Sequence, residues 1–390
     1  MYYPTPDELD PVQLSDGFYF AALAVVLGVL FCAVLIDFAG VNRSPPEEVT
    51  KYRILDSDYF NSFLLVIALG ALAGMVVTTG PYLLSAEKHE MMAHLNRWNV
   101  VFQTAIPIGF VLSVVQRNKV SAVTYALLLA FSVFMGFRSP AAFAVIGGMF
   151  VWLRGRRGKS LASRLGWRVV VVVLLGALFL IYKEVYDHIK MGDFAAVLAN
   201  LARSGTYLSS FLKSEPFFIQ AILNRVLEEG FYTGPDHLRS IIFLVVPFAN
   251  RFVEIVSFND VFQEELFPGL DFGMAGNFWA QGFSVGGWLG LAAWLIIYLA
   301  GLLMFSVLVG RLSGGALAAT VVGGAAWAFY IHRNDLLYQL VIERRVFALW
   351  MFVALALWML RCVASSDALR GTLALRGKDV RKLITGRQSQ

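Results

Sequence analysis

Long apolar runs broken by short polar stretches dominate the chain, and their length decides what they build. The hydrocarbon core of a bilayer is about 30 Å thick and takes about 20 apolar residues of helix, with a range of about 17–25. Read against that length, nine runs predict membrane helices: 18–36, 60–80, 98–115, 120–137, 140–153, 167–182, 286–310, 314–331 and 346–360. The stretch 240–249 is apolar but too short to span and reads as a buried or interfacial piece. The expected fold class is therefore all-α, a polytopic integral membrane helix bundle of about nine or more transmembrane helices. No fixed-period repeat or low-complexity linker divides it, so residues 1–390 are read as one integral membrane domain.

Residues 183–285 interrupt the pattern. A connection of this length is functional more often than it is a mere link. Glu215-Pro216, Tyr232-Thr233-Gly234-Pro235, Val246-Pro247 and Phe267-Pro268-Gly269 mark breaks in it. Between them Phe217, Phe218, Ala221, Ile222, Val226 and Leu227 recur at helical spacing, which predicts amphipathic helices lying on or between the membrane helices.

Composition agrees with the pattern. Of the 390 residues 58% are hydrophobic and 15% charged, against about 45–50% and about 25% in ordinary soluble domains. That excludes a soluble enzyme, a secreted disulfide scaffold and a disordered regulator. The net charge of +5 is no nucleic-acid signature, because Lys and Arg fall in short runs between apolar segments. One set of alternate connections holds Arg43, Lys51 and Arg53, then Arg117 and Lys119, then six basic residues from Arg154 to Arg168, then Arg311 and a basic tail. The other, apart from the segment 183–285, which is too long to count by charge and takes its side from its neighbours, holds only Lys88, Arg97, Arg138, Arg333, Arg344 and Arg345. The positive-inside rule makes the first set cytoplasmic, with the N-terminus and the 183–285 loop outside and the C-terminus inside. The residues ahead of the first run include Asp7, Glu8 and Asp10 and no Lys or Arg, so a signal peptide's basic start is missing and the first helix is expected to persist. Cys32 and Cys362 lie in or beside apolar runs and offer neither a disulfide framework nor a metal site.

Several motifs resemble familiar chemistry without its spacing. Gly155-Arg156-Arg157-Gly158-Lys159-Ser160 ends like a phosphate loop, but Leu153 stands where its first Gly belongs and no strand precedes it. His89 and His94 are five apart, so on a helix they face different ways and cannot share a metal. Asp56-Ser57-Asp58 has an Asp-x-Asp form on the expected inner side. No metal and no cofactor is read from the sequence.

Arginines on the outer side are more informative. The hairpin 120–153 has 34 residues, roughly 51 Å of helix, where two crossings need roughly 60 Å. Its turn, Gly136-Phe137-Arg138-Ser139-Pro140, is therefore expected within the hydrocarbon zone. A charge there is costly unless it faces a polar cavity or snorkels to the headgroups, which makes Arg138 a site candidate. Arg333, Arg225, Arg239 and Arg251 join it on the same side. Such fork-shaped, permanently charged groups bind phosphate or pyrophosphate oxygens in pairs, and equally form structural ion pairs, as Arg225 can with Glu228 or Glu229.

Four segments together resemble the bacterial O-antigen polymerase family, within the superfamily that also holds the O-antigen ligases. They are Met135 through Pro140; Gly234-Pro235-Asp236-His237-Leu238-Arg239-Ser240 running into an apolar stretch that ends at Pro247; Gly276-Asn277-Phe278-Trp279-Ala280-Gln281-Gly282-Phe283 with Gly286-Gly287-Trp288-Leu289-Gly290; and Arg333-Asn334-Asp335. They span about half the chain. Family members often carry Glu where Gln281 stands and Arg directly after the Pro matching Pro247, where this chain has Phe248 and a later Arg251. The resemblance implies a polymerase of the bacterial inner membrane with a large periplasmic loop. Its substrates would be undecaprenyl-pyrophosphate-linked oligosaccharides, and a chain-length regulator and a flippase of the same pathway would be its partners.

The residues fit that chemistry separately. Outside the cytoplasm no nucleotide supplies activation, so bond formation there requires a donor such as a lipid pyrophosphate. An acceptor hydroxyl would attack the anomeric carbon while the lipid pyrophosphate leaves through an oxocarbenium-like transition state. Such a reaction uses cations for the departing phosphates and a base for the hydroxyl proton. Arg138, Arg239 and Arg333, with Arg225 and Arg251, are the expected phosphate binders, and Asp271, Glu264, Glu265 or His237 the expected base. Tyr207, Phe231, Tyr232, Phe278 and Trp279 are placed to stack on sugars or to pack between helices. An O-antigen ligase shares these features. A lipid-linked sugar flippase predicts an inverted repeat and midplane charges, neither of which is read here.

Overall fold

In a computed structural model, residues 14–38, 58–84, 91, 93–154, 185–186, 188–202, 215–234, 237–238, 256–268 and 275–385 are described. Among them every regular element is helical. In chain order these are α1 (Asp16–Phe38), α2 (Asp58–Thr79), α3 (Arg97–Gln116), α4 (Lys119–Phe134), α5 (Ser139–Arg154), α6 (Phe194–Ala202), α7 (Glu215–Glu229), α8 (Phe258–Leu266), α9 (Phe278–Arg311), α10 (Gly314–Ala325) and α11 (Leu336–Thr385). Six stretches are long and apolar enough to cross a membrane: Asp16–Leu35, Tyr59–Thr79, Arg97–Gln116, Phe278–Arg311, Gly314–Arg333 and Leu336–Val363. The hairpin helices α4 and α5 are apolar but shorter, as the length arithmetic predicts. The expected run 167–182 lies outside the described residues.

Two expected boundaries move. α9 starts at Phe278 rather than near Gly286 and breaks inside, where Gly286 and Gly287 leave helical dihedrals and Gly287 takes φ 59°, a conformation open to glycine at little steric cost. α11 starts at Leu336 and not near Val346, so Glu343, Arg344 and Arg345, which fall in the connection expected between the runs 314–331 and 346–360, ride on its first turns. Three charged positions made this helix start look like a loop. The largely apolar residues ahead of them, Leu336 to Ile342, with the Asp335 carboxylate to begin the helix, carry it instead.

Two packed regions organise the bundle. One joins α2, α3, α4, α5, α10 and α11 around Phe60, Phe102, Ile106, Tyr125 and Val322. Lipid tails are as apolar as leucine, so close van der Waals contact at small residues, rather than escape from water, holds such helices together. Gly109 of α3 is an instance: a Cβ there would lie 2.0 Å from the Tyr125 ring of α4. Tyr125 donates its hydroxyl to the Asn61 carbonyl at 3.2 Å. Asn61 in turn donates its side-chain amide to Ser113 and Gln116, tying the start of α2 to the end of α3.

The second region packs α1, α7, α8 and α9 against Trp327, Ile331 and Leu336. Here the helices expected in the long loop are found. α7 buries Ile222, Leu223 and Val226, and α8 is started by a capping box between Ser257 and Asp260. The expected breaks at Glu215-Pro216 and Phe267-Pro268 coincide with helix ends, Tyr232, Thr233 and Gly234 lie in the non-helical stretch after α7, and Val246-Pro247 lies outside the described residues.

Candidate functional site

The antiparallel order brings one end of α1, the start of α9, the end of α10 and the start of α11 together. α10 finishes in a π-turn, Ala326–Tyr330, and a 3-10 turn, Ile331–Arg333, a departure from α geometry common at functional positions. Three links fasten the loop helices to this end. Ser15, ahead of α1, donates its backbone N–H and hydroxyl to Asn224 of α7, both at 2.8 Å. Asn277 caps α9 through Trp279 and Ala280 while donating to the Ile219 carbonyl of α7. Asp335 caps α11, accepting from the Tyr338 N–H at 2.7 Å, and accepts from the Phe258 N–H that starts α8 at 3.0 Å. Asp335 is 3% exposed. Burial, with help from the Asp260 carboxylate, pushes its acid above the usual range against the pull of those two N–H donors.

Gln281 is the centre of the arrangement and is fully buried. Its Oε1 accepts from the Leu336 N–H at 2.8 Å and from Trp294 Nε1 at 3.4 Å, which fixes the amide's orientation. Its NH2 is therefore the group that meets His237 Nε2 at 2.9 Å and donates to it. His237 is thereby held as the neutral tautomer with its proton on Nδ1, and burial lowers its pKa below the usual 6.5. Beside it, Thr233 donates its backbone N–H to the Ser284 carbonyl at 2.9 Å, and their hydroxyls meet at 3.0 Å. A second chain follows from Trp279, whose Nε1 donates to His332 Nδ1 at 3.0 Å. His332 Nε2 then carries the proton and faces the Tyr298 hydroxyl at 3.3 Å, which donates to the Ala328 carbonyl at 3.2 Å.

The break in α9 makes this geometry reachable. It folds the two halves so closely that a Cβ on Gly290 would lie 2.2 Å from the Gly282 carbonyl oxygen, and one on Gly282 would lie 2.7 Å from the Trp294 ring. Trp294 can then reach back to Gln281. Beside the break a cavity of about 190 Å³ opens between α1 and α9, lined by Phe20, Ala21, Ala24, Val25, Trp288, Leu291, Ala292 and Leu295.

Two of the expected cations share this end. Arg138 closes the turn between α4 and α5, half-buried, its carbonyl accepting from Ala142. The turn is tied down by Ser132, which donates to the Phe137 carbonyl at 3.1 Å. Arg333 lies over the Tyr330 ring, 5.4 Å from its centroid, and the same ring meets Phe143 of α5 edge-on at 5.2 Å. Tyr330 thus bridges the Arg138 hairpin and the Arg333 turn.

The other expected site residues divide. Arg225 is paired with Glu229 on the exposed face of α7, the ion pair open to it at that spacing. Glu264 and Glu265 are exposed on α8. Arg239, Arg251, Asp271 and Tyr207 lie outside the described residues. Phe231, Phe278 and Trp279 are buried in packing, while Tyr232 is exposed. Gln281, Asp335, Asn277 and His332 were not among the expected site residues; the one signal for them was position, since Asn277, Gln281 and Asp335 lie within the segments that carry the resemblance and His332 stands directly ahead of one. No protein-family model, no curated protein and no solved structure matches the chain.

Proposed function

We propose that the protein is a membrane glycosyltransferase that polymerises undecaprenyl-pyrophosphate-linked oligosaccharide repeat units, for O-antigen or another surface polysaccharide, on the periplasmic face of the bacterial inner membrane. The observation that carries this reading is the pairing, through Tyr330 and Phe143, of the Arg138 turn with the Arg333 turn at one polar end of an apolar bundle. Two guanidinium groups on adjoining turns suit a diphosphate, since each fork can donate two parallel N–H bonds to a pair of its oxygens. The apolar cavity between α1 and α9 at the same end suits the isoprenoid tail of such a donor.

In this reading Arg138 and Arg333, with Arg239 and Arg251 from the loop, hold the leaving pyrophosphate and stabilise the charge that develops on it. His237 acts as a positioning residue, because the Nε2 lone pair a base would use is taken by Gln281. Asp271, Glu264 and Glu265 are left as the carboxylates to accept the acceptor hydroxyl's proton. A deletion strain tests the whole: single repeat units should still reach their final acceptor while the polysaccharide ladder disappears. Loss of the single-unit band as well would favour a ligase or a flippase and sink the polymerase reading.

A further inference from the structure

Seven residues past the start of α11, about 10 Å along its axis, a carboxyl group stands inside a membrane-spanning stretch. Glu343 is 8% exposed and Gln339, one turn earlier, is fully buried. Gln339 Nε2 donates to Glu343 Oε1 at 2.8 Å. The remaining oxygens, Gln339 Oε1 and Glu343 Oε2, are both buried and meet no hydrogen-bond donor. Glu343 Oε2 fills a notch left by Gly323 of α10, where a Cβ would lie 2.5 Å from it and 3.2 Å from the Phe305 ring of α9. α10 has no Lys, Arg, His, Asp or Glu anywhere in its length. On α11 itself the neighbouring cations, Arg344 and Arg345, are exposed, and among the described residues none pairs with Glu343.

We propose that Glu343 and Gln339 form a proton-binding site within the membrane bundle, with Glu343 held as the neutral acid against Gly323. The argument is one of donors and acceptors. A carboxylate has only acceptors, and the amide's oxygen is another, so the ionised pair leaves two buried acceptors without a donor. A single proton turns one carboxyl oxygen into a donor and removes the charge, the form a carboxyl takes where no cation and no water compensates it. The bound proton also fastens α11 to α10, since ionisation would set a bare charge against Gly323 and Phe305. This site is separate from the glycosyl-transfer reading and does not depend on it.

The test is the infrared difference between wild type and Glu343→Gln in lipid vesicles at neutral pH. A protonated carboxylic acid band lost in the variant is expected; loss of a carboxylate band instead overturns the proposal. Dicyclohexylcarbodiimide gives an independent reading on the wild-type protein. The acid passes its proton to a carbodiimide nitrogen, its oxygen adds to the central carbon, and acyl migration leaves a stable N-acylurea. An adduct mapped to Glu343 with this lipid-soluble reagent, but not with a water-soluble carbodiimide, is the expected result. Should Glu343→Gln fail to accumulate, the adduct alone decides, and its absence overturns the site.

Discussion

Gln281 donates to His237 Nε2 because the amide has no other way to face: its oxygen is committed to the Leu336 N–H at 2.8 Å and to Trp294. One side chain thereby joins the loop that carries His237, the broken helix α9 and the first residue of α11. The bond also selects the histidine's charge state, since an imidazolium would present N–H to N–H.

A pH dependence follows. Burial lowers the His237 pKa below 6.5, so the unfolded state takes up a proton before the folded state does. The stabilising contribution is complete above that value and is lost as pH falls through it toward the lower folded value. Gln281→Glu should reverse the sign, because a carboxylate in that place raises the histidine's pKa and favours the charged pair. Thermal unfolding in detergent across acidic to neutral pH checks both; identical profiles for the two proteins would discard the argument.

Asp335 should act on two helices at once. Asp335→Ala removes the α11 cap, typically worth about 0.5–2 kcal/mol, and leaves the Phe258 N–H of α8 buried without an acceptor, about 1–3 kcal/mol. Asp335→Asn keeps one acceptor oxygen and should fall between the alanine variant and wild type. Hydrogen exchange at the Phe258 and Tyr338 amides reads the two losses separately, and unchanged protection at both in the alanine variant would remove Asp335 from this role.

These sites show where the sequence was readable. The hairpin of α4 and α5 and its turn at Arg138 were legible because helix length against bilayer thickness is arithmetic, and the loop helices because Pro and Gly end helices wherever they fall. Glu343 was misread as part of a loop because charge is the main sign of a membrane boundary in sequence, and a buried carboxyl defeats it. Gln281 was passed over as a site residue since an amide has no signature; its importance comes from the Leu336 N–H and Trp294, partners that only the break at Gly286-Gly287 brings within reach.

The break itself can be tested at Gly290. Valine there would set a side chain against the Gly282 carbonyl oxygen, from which its Cβ would lie 2.2 Å. Overpacking of this kind costs about 1–3 kcal/mol or more, and by parting the halves of α9 it should release Trp294 from Gln281. The tryptophan fluorescence of Gly290→Val should change together with a lowered unfolding temperature. A variant as stable as wild type would show that the halves are not locked together.

Orientation is open to chemical labelling. Single cysteines at positions 158 and 234, in a background lacking Cys32 and Cys362, should differ toward a membrane-impermeant thiol reagent in intact cells, because the Lys and Arg runs assign them to opposite sides. Position 234 is expected to label and position 158 to be protected. The opposite result would turn the Arg138 and Arg333 end to the cytoplasm, and with it the need for a donor that carries its own activation.

Arg138 gives the sharpest test of the proposed chemistry. It sits half-buried in a turn between helices too short to cross the bilayer fully, and Phe143 of the helix that follows packs on the ring that carries Arg333. Arg138→Ala should abolish polymerisation while the protein still inserts and accumulates. Arg138→Lys separates the two uses of a cation at this depth. A snorkelling side chain needs only charge and reach, which lysine supplies. A pyrophosphate clamp needs the planar fork, which lysine lacks, so the lysine variant should stay badly impaired, with a ladder shortened to its first few rungs. A lysine variant with a wild-type ladder would remove Arg138 from the phosphate site and leave Arg333 and Arg239 to hold the leaving group.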